Sequence, residues 1–391
     1  MALPGVTIIG AGIGGLTAAL SLQHKGIPVQ VYEQSSKLAE VGAGLHLSPN
    51  AINVIRKLGL RYALEPYDFR PHALKTRHYQ SGEPSFVLPF DEDFEKEFGS
   101  PFVDIHRADL HRALSDAVLS NDPHAIALKK RLVSIVEKPG HVILEFEDGS
   151  VQQAETVLAA DGVHSIIRSK LYDEPGAEFT GHVAYRGLVS TDALGSDLME
   201  PDLNIWTGPG RHMVAYYLRR GAMLNYVAIV EDPEWKTESW TSPAEKEELV
   251  TRFEGWDPVV CRIIAQTKEN ECFKWALLKR EPLDNWSSNR ITLLGDAAHP
   301  MVPYLAQGAV MAMEDGWVFA HFAANYDNSA DALQAYQGAR IERTSNVQKA
   351  AWEQGQKEHK VGSDQGGEEF KGGNFASMAW LYGHDVCSLY P

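Results

Sequence analysis

A strand, a run of glycines and a helix stand at the head of the chain, and together they leave few folds open. Val6-Thr7-Ile8-Ile9 is a short apolar run, Gly10-Ala11-Gly12-Ile13-Gly14-Gly15 follows it, and a helical pattern then reaches about Lys25. Val29-Gln30-Val31-Tyr32 forms the next strand, which ends at Glu33. In this β-α-β pattern the tight turn needs Gly10, close approach of backbone to a pyrophosphate needs Gly12, and packing of helix on strand favours Gly15. Glu33 falls 18 residues after Gly15, where a carboxylate can bind ribose hydroxyls. The glycines alone fit an ordinary turn. With the strand, the helix and Glu33 in place they read as a dinucleotide site, for NAD or FAD.

Two further junctions have the same strand-turn-helix character. Asp161-Gly162-Val163-His164-Ser165 follows the strand Thr156-Val157-Leu158-Ala159, where a helix cap with an Asp161–Arg168 ion pair is the plainer reading. Gly295-Asp296-Ala297-Ala298-His299-Pro300 follows Ile291-Thr292-Leu293-Leu294 and leads through Pro303, Tyr304 and Gly308 into a long helical pattern. A helix start offers unpaired N–H groups and partial positive charge, a seat for an anionic cofactor group. Three such junctions point to one extended cofactor, and FAD is long enough to use them all.

Composition narrows the partners. A formal net charge of -16 leaves no basic stripe for nucleic acid. Cys261, Cys272 and Cys387 have no metal-ligand spacing and are too few for a disulfide framework, so no metal is expected and a reducing, cytoplasmic setting fits. No stretch approaches the roughly 20 apolar residues that span a bilayer, and the glycines at 10 to 15 suit a strand and turn rather than a signal peptide.

The pattern divides the chain into an α/β nucleotide-binding unit in three parts (1–72, 101–172 and 286–356, the last with C-terminal helices), interrupted by substrate-domain segments at 73–100 and 173–285. A tail follows at 357–391. Ser48-Pro49 starts a helix and Gly59 ends it. A hairpin turn holds Asp148-Gly149. Segments 182–189, 212–218 and 224–230 read as strands of an antiparallel sheet, with helices at about 243–254, 257–267, 309–325 and 330–356. The stretch 362–374 reads as a linker, and the aromatic tail near Trp380 and Tyr382 as a docking element.

On these motifs the chain resembles the class A flavoprotein aromatic hydroxylases, the family of p-hydroxybenzoate hydroxylase and salicylate hydroxylase. Residues 42–50, 211–217 and 299–314 are most similar to the 6-hydroxynicotinate 3-monooxygenase, salicylate hydroxylase and 3-hydroxybenzoate 6-hydroxylase branches. The resemblance implies a Rossmann-like FAD-binding domain with an inserted antiparallel-sheet substrate domain. It also implies tightly bound, non-covalent FAD, with NADH or NADPH as transient donor and O2 as co-substrate. Glu33 would bind the adenosine ribose, Arg107 the flavin-side chain of FAD, Asp161 the motif shared by FAD and the nicotinamide donor, and Asp296 the ribityl-phosphate portion. Backbone N–H groups around Gly308 would face the flavin pyrimidine ring. The implied reaction is hydroxylation of a small hydroxylated aromatic or heteroaromatic acid through a flavin C4a-hydroperoxide, with CO2 loss or without it. A flavin oxidase or reductase and a non-enzymatic flavin module are the rival readings, and a homodimer is compatible.

Phenol activation calls for a His or Tyr near the ring hydroxyl. On a strand over 212–218, His212, Val214, Tyr216 and Leu218 share one face, and Met213, Ala215 and Tyr217 the other. His212 and Tyr216 would then stand about 13 Å apart, far enough to flank a ring. By themselves His212 and Tyr216 read as satisfied sheet residues; the resemblance makes His212 the leading candidate for deprotonating the substrate, followed by His46, with Tyr216 and Tyr304 as further catalytic candidates. Tyr304 departs from the histidine of the hydroxynicotinate branch, which weakens that substrate analogy. Arg186 could meet a carboxylate, Tyr217 and Pro303 could line the pocket, and His299 reads as a structural part of its turn.

Overall fold

The computed structural model describes residues 2–38, 43–172, 176–195, 198–235, 242–268, 271–360 and 375–391. Gly42 and the linker expected at 362–374 lie outside them. A five-stranded parallel sheet carries the strands in the order Ile291–Leu293, Val157–Ala159, Val6–Ile9, Val29–Tyr32 and Ile126–Ala127. The three motif-bearing strands are therefore neighbours, and their carboxyl ends open on one edge, where ligands of such sheets bind. Helices Ile13–His24 and Gly308–Asn325 lie against each other very closely. A Cβ on Gly316 would come within 2.7 Å of the Ala18 amide nitrogen, and one on Gly14 within 2.9 Å of the Ala312 Cβ. Small residues at both positions let the two helix starts converge on the sheet edge.

The second layer is an eight-stranded sheet in the order Ser242–Pro243, Cys272–Lys279, Glu178–Ser190, Met223–Glu231, Arg211–Leu218, Leu203–Gly208, Ala73–His78 and Pro84–Pro89. It is antiparallel except where Leu203–Gly208 runs parallel to Ala73–His78. Its outer face buries Tyr185, Trp206, Met213, Tyr217 and Tyr226 beneath helices Lys246–Arg252 and Pro258–Ala265. Tyr216 and Leu218, on the inner face, join the main core with the parallel sheet. Period-two alternation thus gives the sheet two separate functions, one face packing and the other available for a site.

One local feature differs from the sequence reading. The last long helix runs Ser329–Lys360, so it does not stop near 356. Gly355 does not end it, because the missing side chain makes room for the Tyr304 ring: a Cβ there would sit 2.4 Å from Tyr304 Cε2. The aromatic tail docks on the body through Tyr382, which packs against Phe94, Phe98 and Phe102, while Trp380 stays exposed. Among the described residues no helix is long and apolar enough to cross a membrane.

Candidate active site

The glycine turn is built as its residue types require. Gly10 has φ +105°, and a Cβ there would lie 2.3 Å from the Ala160 carbonyl oxygen. At Gly15 a Cβ would lie 2.1 Å from the Gly10 oxygen. Gly12 is different, since a Cβ there would meet nothing within 4 Å, so open ground lies beside the turn. The Ala11 amide donates to Glu33 Oε2 and the Ser35 amide to Oε1, each at 2.8 Å. Each carboxylate oxygen keeps a lone pair for a ribose hydroxyl. Helices Ile13–His24 and Gly308–Asn325 both begin with no side-chain cap, leaving their first N–H groups to a ligand.

The other two junctions are tied to each other. Asp161 caps helix Ile166–Tyr172, accepting from Ser165 Oγ at 2.6 Å and the Ile167 amide at 3.3 Å. Burial raises its pKa against the pull of these hydrogen bonds. Arg168, fully buried, donates to the carbonyls of Ala297 and Ala298. Asp315 takes the Gly295 amide at 3.0 Å and His299 Nε2 at 2.6 Å, and Arg340 holds its other oxygen at 2.7 Å. His299 is thus part of the scaffold. Asp296 keeps its side chain exposed although protein surrounds it densely enough for desolvation to raise its pKa, with His299 and Arg107 opposing. An exposed yet crowded carboxylate lines a cleft. Open ground at Gly12, two uncapped helix starts and a cleft-lining Asp296 beside Arg107 together fit a dinucleotide laid along this edge.

The inner face of the large sheet forms the opposite wall. Cross-strand register sets it out in rows: Tyr216 opposite Asn225, Val214 opposite Val227 and Arg186, and His212 opposite Ile229, which pairs with Ala184. His182 and Glu231 form the next row. Arg186 is buried in the middle, with Phe273 and Trp275 rings 5.4 and 5.6 Å from its guanidinium. Burial, and then the nearby Arg107, bring its pKa down to about 10, so it stays cationic at neutral pH.

At one end His46 stands directly across an antiparallel pair from Asp104, with Gly44–Leu47 beside Val103–His106. Its Nδ1 is 2.5 Å from Asp104 Oδ1, and its ring lies 4.2 Å from that of Tyr216. Asp104 is fully buried, which raises its pKa, and His46 partly offsets the rise. Tyr216 is pushed well above its ordinary value by burial and then by Asp104. The Gly44 amide donates to Asn225 Oδ1 at 2.9 Å, fastening this strand pair to the wall. Gln307 Nε2 donates to Ser48 Oγ at 3.0 Å and Asn50 Nδ2 to Glu314 Oε1 at 2.7 Å, locking the same loop to the helix start near Gly308.

At the other end His212 is turned into a cluster. Its Nδ1 is 3.0 Å from His359 Nε2, and its Nε2 is 3.6 Å from Glu358. Burial first, then His182, lower its pKa to about 3. The Tyr304 hydroxyl bonds His182 Nδ1, and its ring lies 5.4 Å from that of His212. Pro303 begins the short helical turn that carries Tyr304. Tyr217 does not belong to this wall. It faces the outer side, where its hydroxyl donates to the Met199 carbonyl and its ring borders a hollow of about 540 Å³ with Phe69 and Thr191. The alternation that puts Tyr216 inward requires this. The sequence reading missed Asp104, Asn225, Gln307, His182, Glu358 and His359, which reach the site only through distant pairings.

Comparison with known proteins adds the chemistry. A family profile described as an FAD binding domain matches residues 5–351. The chain belongs to this family. It is 38% identical over 91% of its length to 89% of 3-amino-4-hydroxybenzoate 2-monooxygenase PtmB3 of Streptomyces platensis. To 6-hydroxynicotinate 3-monooxygenase of Pseudomonas fluorescens it is 35% identical, covering 88% of this chain and 90% of that one. A substrate complex of salicylate hydroxylase superposes with a TM-score of 0.82 at 26% identity, covering 99% and 97% of the two chains. The protein is an FAD-dependent aromatic-ring monooxygenase with the mixed α/β fold of the aromatic hydroxylases.

Proposed function

We propose that this monooxygenase hydroxylates a small phenolic or hydroxypyridine carboxylic acid, with its carboxylate on Arg186 and its ring hydroxyl toward His46. The observation that carries this reading is the His46–Asp104 pair, whose imidazole packs on Tyr216, the residue one same-face row from the buried, cationic Arg186 on the wall. A carboxylate behind an imidazole fixes its tautomer and stabilises the imidazolium that forms when it takes a proton. Deprotonating the ring hydroxyl makes the ring electron-rich, which is what electrophilic oxygen transfer requires. Asp104 positions His46, Tyr216 packs beside it, and Arg186 orients the acid. The dry aromatic surround of Phe273 and Trp275 excludes water.

FAD when bound accepts reducing equivalents from NADH or NADPH and activates O2. Glu33, Asp161, Arg107, Asp296 and the helix start at Gly308 would hold it. His212 takes a supporting part in this proposal, because a group with a pKa near 3 is a poor proton acceptor from a phenol by several orders of magnitude. The proposal is tested by supplying the holoenzyme with hydroxybenzoates, aminohydroxybenzoates and hydroxynicotinates, each with NADH and NADPH. Substrate-stimulated donor oxidation with a hydroxylated product is expected for at least one acid, and CO2 release reports whether the carboxyl carbon is the one attacked. Peroxide equal to donor consumed for every acid would contradict it.

A further inference from the structure

The wall continues past His212 into a group of side chains that flavin chemistry does not call for. His182, Glu231 and His359 each present one ligand atom, and these atoms all lie within 4.8 Å of one another. Glu231 comes from the row opposite His182, and His359 from the last turn of helix Ser329–Lys360. The Gly210 amide donates to the His359 carbonyl at 3.0 Å, which pins the helix end to the sheet. We propose that His182, Glu231 and His359 form a binding site for a divalent transition-metal ion of the zinc class.

The hydrogen bonds around the three residues point the correct nitrogens inward. His359 is buried, and among the described residues its Nδ1 has no hydrogen-bond partner although it lies 3.4 Å from Glu231 Oε1. Its Nε2 is already committed to His212 Nδ1. His182 Nδ1 is committed to the Tyr304 hydroxyl, which leaves its Nε2 for a ligand. A metal-bound imidazole normally donates its second N–H to such an outer partner, which fixes its tautomer. Here both histidines have that partner in place.

Two imidazoles and one carboxylate form a donor set that zinc takes with water as the fourth ligand. Metal–ligand bonds of about 2.1 Å bring tetrahedral ligand atoms to about 3.4 Å, so the cluster must contract by roughly an ångström. The Glu231 side chain is 54% exposed and can supply the movement. It also gives the ion an entry path from solvent. The site rests on neither the substrate nor the cofactor reading. It revises the expectation of no metal, which considered only cysteine spacing.

The experiment titrates FAD-loaded protein with Zn2+ by calorimetry and with Co2+ by visible absorption. One ion per chain and a tetrahedral Co2+ spectrum are expected. Glu231→Gln, a change at an exposed position, should weaken Co2+ at least tenfold with the FAD spectrum intact, and His359→Ala should abolish the spectrum. Absence of a Co2+ spectrum in the wild-type protein overturns the proposal, as does unchanged affinity in Glu231→Gln.

Discussion

His46 and His212 flank the inner face of the large sheet, His46 packing on Tyr216 from the neighbouring strand pair and His212 standing on the sheet itself one row past Arg186, yet their surroundings make them different groups. His46 faces a buried carboxylate at 2.5 Å and keeps 10% of its side chain open. His212, at 2%, faces His359, and the proximity of His182 adds to desolvation. A carboxylate partner favours the imidazolium, whereas a histidine partner in a dry setting opposes it. The proposed function therefore assigns the proton-accepting role to the histidine backed by a carboxylate and a supporting role to the one backed by histidines. The family resemblance ranks them the other way, and strand alternation could not correct it, because it shows which face a histidine takes but not what it meets there.

The largest effect should come from removing the frame that both ends share. Gly15→Val drives a side chain into the Gly10 carbonyl, and the expected outcome is protein without bound FAD and without turnover at either end, read from flavin absorbance. Next is the base itself. His46→Ala should lower substrate-stimulated turnover by about 10²–10⁴-fold with FAD retained, as expected for loss of a general base, and Asp104→Asn should move in the same direction by less. Arg186→Met should act on binding, raising KM for the acid about 10–100-fold, the range for a hydrogen bond to a charged group. His212→Ala should cost less than about tenfold in kcat; a loss as large as that of His46→Ala would break the comparison.

The smallest effect concerns the scaffold behind both ends. Burial pushes the Asp315 carboxyl up, but His299 and Arg340 more than offset this and hold it at about 2. A carboxylate depressed in the folded state contributes stability above its unfolded value of about 4 and loses it as pH falls toward 2. Denaturant midpoints should therefore be steady from pH 7 to about 5 and fall below about 4. Asp315→Asn should flatten that acid limb.

How much of this was legible depends on sequence distance. The glycines at 10 to 15, Glu33, Asp161 and Asp296 could be read because a strand-turn-helix junction places its functional groups locally. The substrate wall could not. His46 and Asp104 are 58 residues apart, His182 and Tyr304 are 122, and His212 and His359 are 147. The signal for Asp104 was present only as a polar residue in the otherwise apolar-leaning strand Val103–His106, buried throughout. The Tyr304 ring lies on Gly355, where a side chain would clash, and the helix goes on past it to bring Glu358 and His359 to the wall. Tyr217 is a separate case: alternation put it on the face opposite Tyr216, and its reading as a pocket residue went against that alternation.

The most direct measurement follows the ionisation of a phenolic substrate on binding, by difference absorbance across pH, in the wild-type holoenzyme and in the His46→Ala and His212→Ala variants. The wild-type protein and His212→Ala should both bind the phenolate at pH values below the free phenol's pKa, and His46→Ala should bind only the neutral phenol. Phenolate binding that survives in His46→Ala and disappears in His212→Ala would contradict the assignment of the proton-accepting end.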